Sequence, residues 1–307
     1  MRKLLQNKIA ESGVTLTVVA TYTAIIWLLA GAVNNGWWVQ MSCLGFSTYL
    51  MVELNNSNAL LRIRSRMISS VFLALTCTTG FLFPSLNGSL ISFLFIATLL
   101  PLFSSYQDSK SQGRYYFAFL CIGVASLLYV HLLYFVPLLW LSSIFYLQSL
   151  NVRSWIASLL GLITPYWFFL PWMLYADKWS LAYSHFSALL QFEFPIRYSS
   201  LPVEVFGTIL FIIILMIISQ LNFWFNSYKD RIRIRQLYGF FATIGWISVF
   251  FIFFQPQHYE YLLRILIICA SPFVAHFFTL TSSKFTNILF FLTIAIVLAL
   301  SILNLPA

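Results

Sequence analysis

The sequence predicts an all-α integral membrane protein with about eleven transmembrane helices and one amphipathic helix lying in the outer interface. Three observations predict it. Hydrophobic residues make up 61% of the 307 and charged residues only 8%, a balance foreign to a soluble chain of two domains. The apolar residues arrive in blocks of about 16 to 22, the length a helix needs to cross about 30 Å of hydrocarbon. Blocks such as 205–221 and 288–303 are apolar on every face, whereas a β-barrel strand alternates over about ten residues.

Taken in order, the candidate spans are 14–33, 37–53, 67–83, 89–103, 115–130, 132–148, 155–176, 203–223, 239–254, 261–280 and 285–304, all in one transmembrane domain covering 1–307. The first has a competing reading, since Arg2, Lys3 and Lys8 ahead of an apolar run and Ala30-Gly31-Ala32 imitate a cleaved signal peptide. The run is about 20 residues, too long for a signal core and right for an anchor, so an uncleaved span is expected.

The fifth and sixth spans share one apolar stretch in which only His131 and Pro137 mark a turn. Hairpin and single long helix put everything downstream on opposite sides of the membrane, and the positive-inside rule chooses between them. With a hairpin, Arg2, Lys3, Lys8, Arg62, Arg64, Arg66, Lys110, Arg114, Arg153, Lys229, Arg231, Arg233, Arg235 and Lys284 lie in the cytoplasm, and only Lys178, Arg197 and Arg264 lie outside. The expectation is therefore a multi-pass membrane protein with its N-terminus on the cytoplasmic side and its C-terminus on the outer side. The net charge of +9 serves this orientation and anionic lipid headgroups, and no nucleic-acid partner is expected.

In the seventh span, Thr164-Pro165 one turn after Gly161 predicts a break. Segment 177–202 follows on the outer face. Within it Trp179, Ala182, Tyr183, Phe186, Leu189 and Leu190 recur at helical spacing opposite Lys178, Ser180, Ser184, Ser187 and Gln191, the pattern of an interfacial helix. Between the remaining spans, Arg231-Ile232-Arg233-Ile234-Arg235 echoes Arg62-Ile63-Arg64-Ser65-Arg66. An internal duplication and convergent positive-inside loops both account for the echo.

Ionisable groups at the edge of a span are where chemistry is sought, because placing them there costs free energy. On the outer face they fall in two clusters: Asp177, Lys178, His185, Glu193, Arg197 and Glu204, and then Gln255-Pro256-Gln257-His258-Tyr259-Glu260 leading to Arg264. Glu260 and Arg264 are spaced for a helical ion pair. Alternatively, Arg264 binds a diphosphate or carboxylate. Arg197, His185 and Glu260 complete the candidate substrate-binding set. His258 is the candidate general base, against the plainer reading of a loop histidine without a chemical task. His131 reads as a wet turn residue and His276 as a hydrogen-bonding partner for a neighbouring helix.

Cys43, Cys77, Cys121 and Cys269 fall inside apolar blocks without metal-ligand spacing, so no metal site is expected. No glycine-rich phosphate loop, HExxH or nucleophile elbow is present, and no cofactor is expected. Coupled transport ordinarily needs a carboxylate near mid-membrane, and every Asp and Glu lies near a predicted helix end or in a loop.

Gly123-Val124-Ala125-Ser126-Leu127, Leu150-Asn151-Val152-Arg153-Ser154-Trp155 and Gly161-Leu162-Ile163-Thr164-Pro165-Tyr166 resemble stretches of a family of polytopic inner-membrane proteins of Bacteroidota with no assigned function. The resemblance runs through most of the chain, implies a bacterial inner membrane, and carries over no site residues. More distantly, the many spans and kinked helices are similar to membrane glycosyltransferases, polymerases and ligases that use polyprenyl-linked substrates. The chain departs from many of those transferases in its first outer loop, only Asn34-Asn35-Gly36, which lacks their acidic residue. The resulting expectation is a cell-envelope protein that handles a lipid-linked anionic substrate on the outer face, with membrane lipids and other membrane proteins as partners. A non-enzymatic scaffold and a small-molecule or lipid transporter are the competing readings, and whether the chain is an enzyme stays open.

Overall fold

The computed structural model describes residues 4–177, 179–191 and 202–306. Every regular element among them is helical: α1 (Leu5–Glu11), α2 (Thr15–Leu29), α3 (Trp38–Asn58), α4 (Met67–Cys77), α5 (Leu86–Ser104), α6 (Gln112–Leu128), α7 (Phe135–Ser142), α8 (Val152–Tyr175), α9 (Trp179–Ser187), α10 (Val203–Asn226), α11 (Ile232–Phe254), α12 (Tyr259–Leu280) and α13 (Lys284–Leu303). A helix satisfies its own backbone hydrogen bonds, the one open-ended solution for a chain with this little polar sequence. Each of the eleven apolar blocks contains helix. Seven helical stretches among the described residues are long and apolar enough to cross a membrane, eight if α1 and α2 form one span.

The shortfall from eleven has local causes. Around Gly13 the chain turns by 88° between α1 and α2, so block 14–33 supplies a short straight helix with a bent foot. Block 37–53 is helical from Trp38 on, but α3 runs on into Glu53, Asn55, Asn56 and Asn58 and does not qualify as a crossing helix. Block 67–83 is not one helix. The hydroxyls of Thr78 and Thr79 donate back to the carbonyls of Leu75 and Thr76 (2.7 and 2.8 Å), α4 stops at Cys77, and a 3₁₀ turn covers Gly80–Leu82. The fifth block gives α6, 17 residues long.

The chain forms two compact units, one from the described residues of Met1–Ser89 and Tyr198–Ala307, the other from those of Leu90–Arg197. In the first, α12 is the central element: its membrane-length window is 100% buried, against 28% for α13. Cys269, Ala270, Ser271 and Ala275 keep α12 slim and let its neighbours approach. The basic loops converge at one end of this unit. There α1 crosses the C-terminus of α12, where the Gln6 amide donates to the carbonyls of Phe278 (2.6 Å) and Thr281 (3.2 Å) and Asn7 donates to Thr281 (2.9 Å). These bonds satisfy carbonyls that the helix end leaves without partners. At the opposite end Trp27 stacks on Phe83 (4.2 Å between centroids), and the Asn304 amide donates to the Thr78 carbonyl (2.7 Å).

In the second unit the chain reverses after α6. Tyr129 is extended (φ −147°), a 3₁₀ turn spans Val130–Tyr134, and α7 runs back so that Phe119 stacks on Trp140 (6.0 Å) and the Tyr115 hydroxyl meets Ser149 (2.8 Å). The closest packing is α6 against α8. A Cβ on Gly123 would stand 2.7 Å from the Leu162 carbonyl, and one on Gly161 would overlap the Tyr116 carbonyl. The absent side chains let the two backbones touch. Pro165 and Pro171 lie inside α8, which continues through both.

Candidate functional site

Of the residues singled out from the sequence, His258, Glu260 and Arg264 lie at one end of the first unit, at the start of α12. His185 belongs to α9 in the second unit. Arg197 lies outside the described residues, as do Lys178 and Glu193.

The expected ion pair between Glu260 and Arg264 does not form: no salt bridge joins them among the described residues, and Glu260 Oε1 is buried without a hydrogen-bond partner. Arg264 reaches across to the segment preceding α5 and to its first turn. Nη2 donates to the Leu82 carbonyl (2.5 Å), Nη1 makes a long bond to Ser89 Oγ (3.4 Å), and Nε is buried without a partner. Gly88 makes this approach possible, since a Cβ there would come within 2.6 Å of Arg264 Nε. The guanidinium therefore rests on the N-terminal turn of α5, where the backbone dipole already presents positive charge. Both protein acceptors that it meets are neutral. His258 closes the short 3₁₀ turn Pro256–His258 ahead of α12 and is half-buried.

His185 packs against α8. Its Nε2 is 3.5 Å from the Tyr166 hydroxyl, which bonds Ser126 Oγ at 2.8 Å, and its ring meets Phe186 edge-on (5.4 Å). Burial pushes the imidazole below its ordinary pKa. This is a neutral aromatic packing site.

A second polar constellation, not among the predicted site residues, occupies the other end of the first unit. Asp230, between α10 and α11, has a fully buried side chain. Arg62 grips it through Nε (2.5 Å to Oδ1) and Nη2 (2.9 Å to Oδ2), and His276 Nε2 lies 3.2 Å from Oδ2. Burial alone would raise the carboxyl, but Arg62 and His276 outweigh it and hold Asp230 at about 2. Phe223 and Tyr238 close over the imidazole edge-on at 4.9 and 5.4 Å, and His276 Nδ1 is buried without a partner. Beside this cluster Arg233 Nη2 donates to Asn58 Oδ1 (2.8 Å). The two arginine-rich loops thus meet reciprocally, each sending an arginine to a residue just ahead of the other. Their local structures differ: Ile232–Arg235 opens α11, whereas 62–66 is non-helical. His276 does hydrogen-bond, but to a carboxylate in the turn between α10 and α11 and not to a neighbouring helix as the sequence suggested. Asp230 carried a weaker signal, a lone acid inside a basic run.

Among the described residues no group of three or more His, Cys, Asp or Glu side chains is arranged to hold a metal ion. The four cysteines are free and buried. No family model, no curated protein and no solved structure matches the chain.

Proposed function

We propose that this protein binds the anionic group of a lipid-linked envelope substrate, a phosphate or carboxylate, at the Arg264 end of its first unit, on the outer face of a bacterial inner membrane. The supporting observation is the electrostatic state of Arg264. A guanidinium inside an apolar span costs several kcal/mol unless it is neutralised. Arg264 hydrogen-bonds only neutral acceptors, rests on the positive pole of α5, and leaves Nε without a partner, while Glu260 one turn earlier acts on it through space without a hydrogen bond. An anion added there neutralises the guanidinium and is favoured by the helix terminus as well.

In this reading the end of the unit that gathers Lys8, Arg62, Arg66, Arg233 and Lys284 faces the cytoplasm, as the positive-inside rule requires. The N- and C-termini then lie on opposite sides, and α9, with Trp179 and Tyr183 exposed, lies in the outer interface. His258, in the 3₁₀ turn ahead of α12 and six positions before Arg264, is the candidate general base for a reaction on the bound group. A second reading, a non-enzymatic scaffold, is favoured by the same hydrogen bonds if their task is only to fasten α12 to the segment around Leu82.

The test is the envelope glycolipid profile of a deletion strain complemented with the native chain, Arg264→Lys or Arg264→Ala, with membrane levels measured in parallel. The expectation is a truncated or accumulated lipid-linked glycan that the native chain corrects, Arg264→Lys corrects in part, and Arg264→Ala at equal abundance does not. An unchanged profile on deletion, or equal correction by all three chains, overturns the proposal.

A further inference from the structure

The start of α12 holds two opposite charges that do not satisfy each other. Glu260 and Arg264 stand one helical turn apart, the spacing at which a carboxylate and a guanidinium ordinarily pair. Each instead keeps a buried polar atom without a hydrogen-bond partner among the described residues, Oε1 of Glu260 and Nε of Arg264. Arg264 is drawn away by its bonds to Leu82 and Ser89, and the missing side chain of Gly88 lets the guanidinium lie against the start of α5. Glu260 stays in the first turn of α12, where a carboxylate meets the positive pole of its own helix.

An anion alone satisfies Nε but comes to rest beside a carboxylate, and in apolar surroundings that repulsion is weakly screened. It also leaves Oε1 without a donor. An amine alone pairs with Oε1 and meets the guanidinium. A group that carries both charges meets neither repulsion: its anionic oxygen accepts from Nε while an N–H of its ammonium donates to Oε1. Glu260 and Arg264 together carry no formal net charge, so a headgroup that is neutral overall leaves no uncompensated charge at the site.

We infer that Glu260 is the specificity-determining residue of the Arg264 site, and that the bound headgroup carries a primary amine beside its phosphate, the phosphate on Arg264 and the ammonium on Glu260. The inference rests on the Arg264 reading above and narrows its substrate class. A water molecule between the two atoms would complete the same hydrogen bonds, but it would give an amine no advantage.

The full chain in maltoside micelles, whose headgroups carry neither phosphate nor amine, is titrated calorimetrically with three soluble phosphodiesters: glycerophosphoethanolamine, glycerophosphocholine and glycerophosphoglycerol. The first offers N–H donors, the second the same charge without them, and the third a hydroxyl without the charge. Glycerophosphoethanolamine is expected to bind about thirtyfold more tightly than either of the others, the contribution of one charge-assisted hydrogen bond. Glu260→Gln should bring the three affinities to within about threefold of one another. Arg264→Ala, or Arg264→Lys if that chain does not accumulate, should weaken all three by at least about tenfold. Equal affinities in the native chain that still depend on Arg264 overturn this inference and leave the Arg264 reading standing, and a water-bridged pair gives this result. No binding of any probe, or binding that the Arg264 variants do not weaken, overturns both. A preference for the amine that survives Glu260→Gln overturns the assignment to Glu260. The comparison of probes on the native chain needs no substitution, so it decides the amine requirement even where Glu260→Gln does not fold.

Discussion

Asp230 shows how one carboxylate is made affordable inside a mostly apolar molecule. Its burial is offset by a bidentate arginine and an imidazole, so both oxygens are engaged. Breaking such a set from one side is costly because it leaves a buried charge behind. Arg62→Ala is expected to destabilise the protein by about 3 kcal/mol in reversible unfolding from mixed micelles, whereas Arg64→Ala, an exposed residue two positions on, should stay within about 0.5 kcal/mol. The same group sets an acid dependence. Its folded pKa is depressed to about 2, so its contribution is complete above the unfolded value of about 3.9 and lost as pH falls through about 2. Unfolding free energies measured from pH 5 downward should fall by an amount on the order of 2 kcal/mol in the native protein, and this component should be missing in Asp230→Asn. A native profile as flat as that of Asp230→Asn would refute it.

At the scale of elements, contact between helices depends on what is absent. Gly123 and Gly161 let α6 and α8 meet backbone to backbone, and both lie in the short motifs that carried the family resemblance. Gly161→Val should cost at least about 3 kcal/mol, since the blocking atom is a main-chain carbonyl that no rotamer change can move. Gly207→Val, at a glycine with open space around it, should cost less than about 1 kcal/mol beyond the change in helix propensity. Equal losses for the two would show that α6 and α8 are not pressed together at Gly161. Element boundaries follow similar local rules: Thr78 and Thr79 end α4 by bonding backwards, and Gly13 marks the turn between α1 and α2. Hydropathy averages over such punctuation, which is why block 67–83 read as one span.

At the scale of the whole molecule, the proposed orientation makes a prediction of its own. In intact cells a membrane-impermeant maleimide should modify Gln257→Cys and leave Lys284→Cys unmodified until the membrane is opened. Both positions are exposed, and the four native cysteines are buried, so background is low. The reverse pattern would put Arg264 in the cytoplasm and remove the outer-face reading with it.

The sequence by itself determined the helical class, most helix positions and which loops carry the positive charge. These follow from local quantities: the length of an apolar block, the cost of an unpaired backbone group in hydrocarbon, and the placement of lysines and arginines. It also directed attention to Arg264 as a cation near the start of a span. Only the tertiary structure decided that α12 is the buried centre, that Arg264 turns to Leu82 instead of Glu260, and that Arg62, Asp230 and His276 form one cluster. In a membrane protein, side chains facing lipid and side chains facing other helices are equally apolar, so hydropathy does not separate core from surface. The Arg62–Asp230 contact bridges 168 positions and the His276–Asp230 contact 46, and no local pattern encodes a partner at that distance.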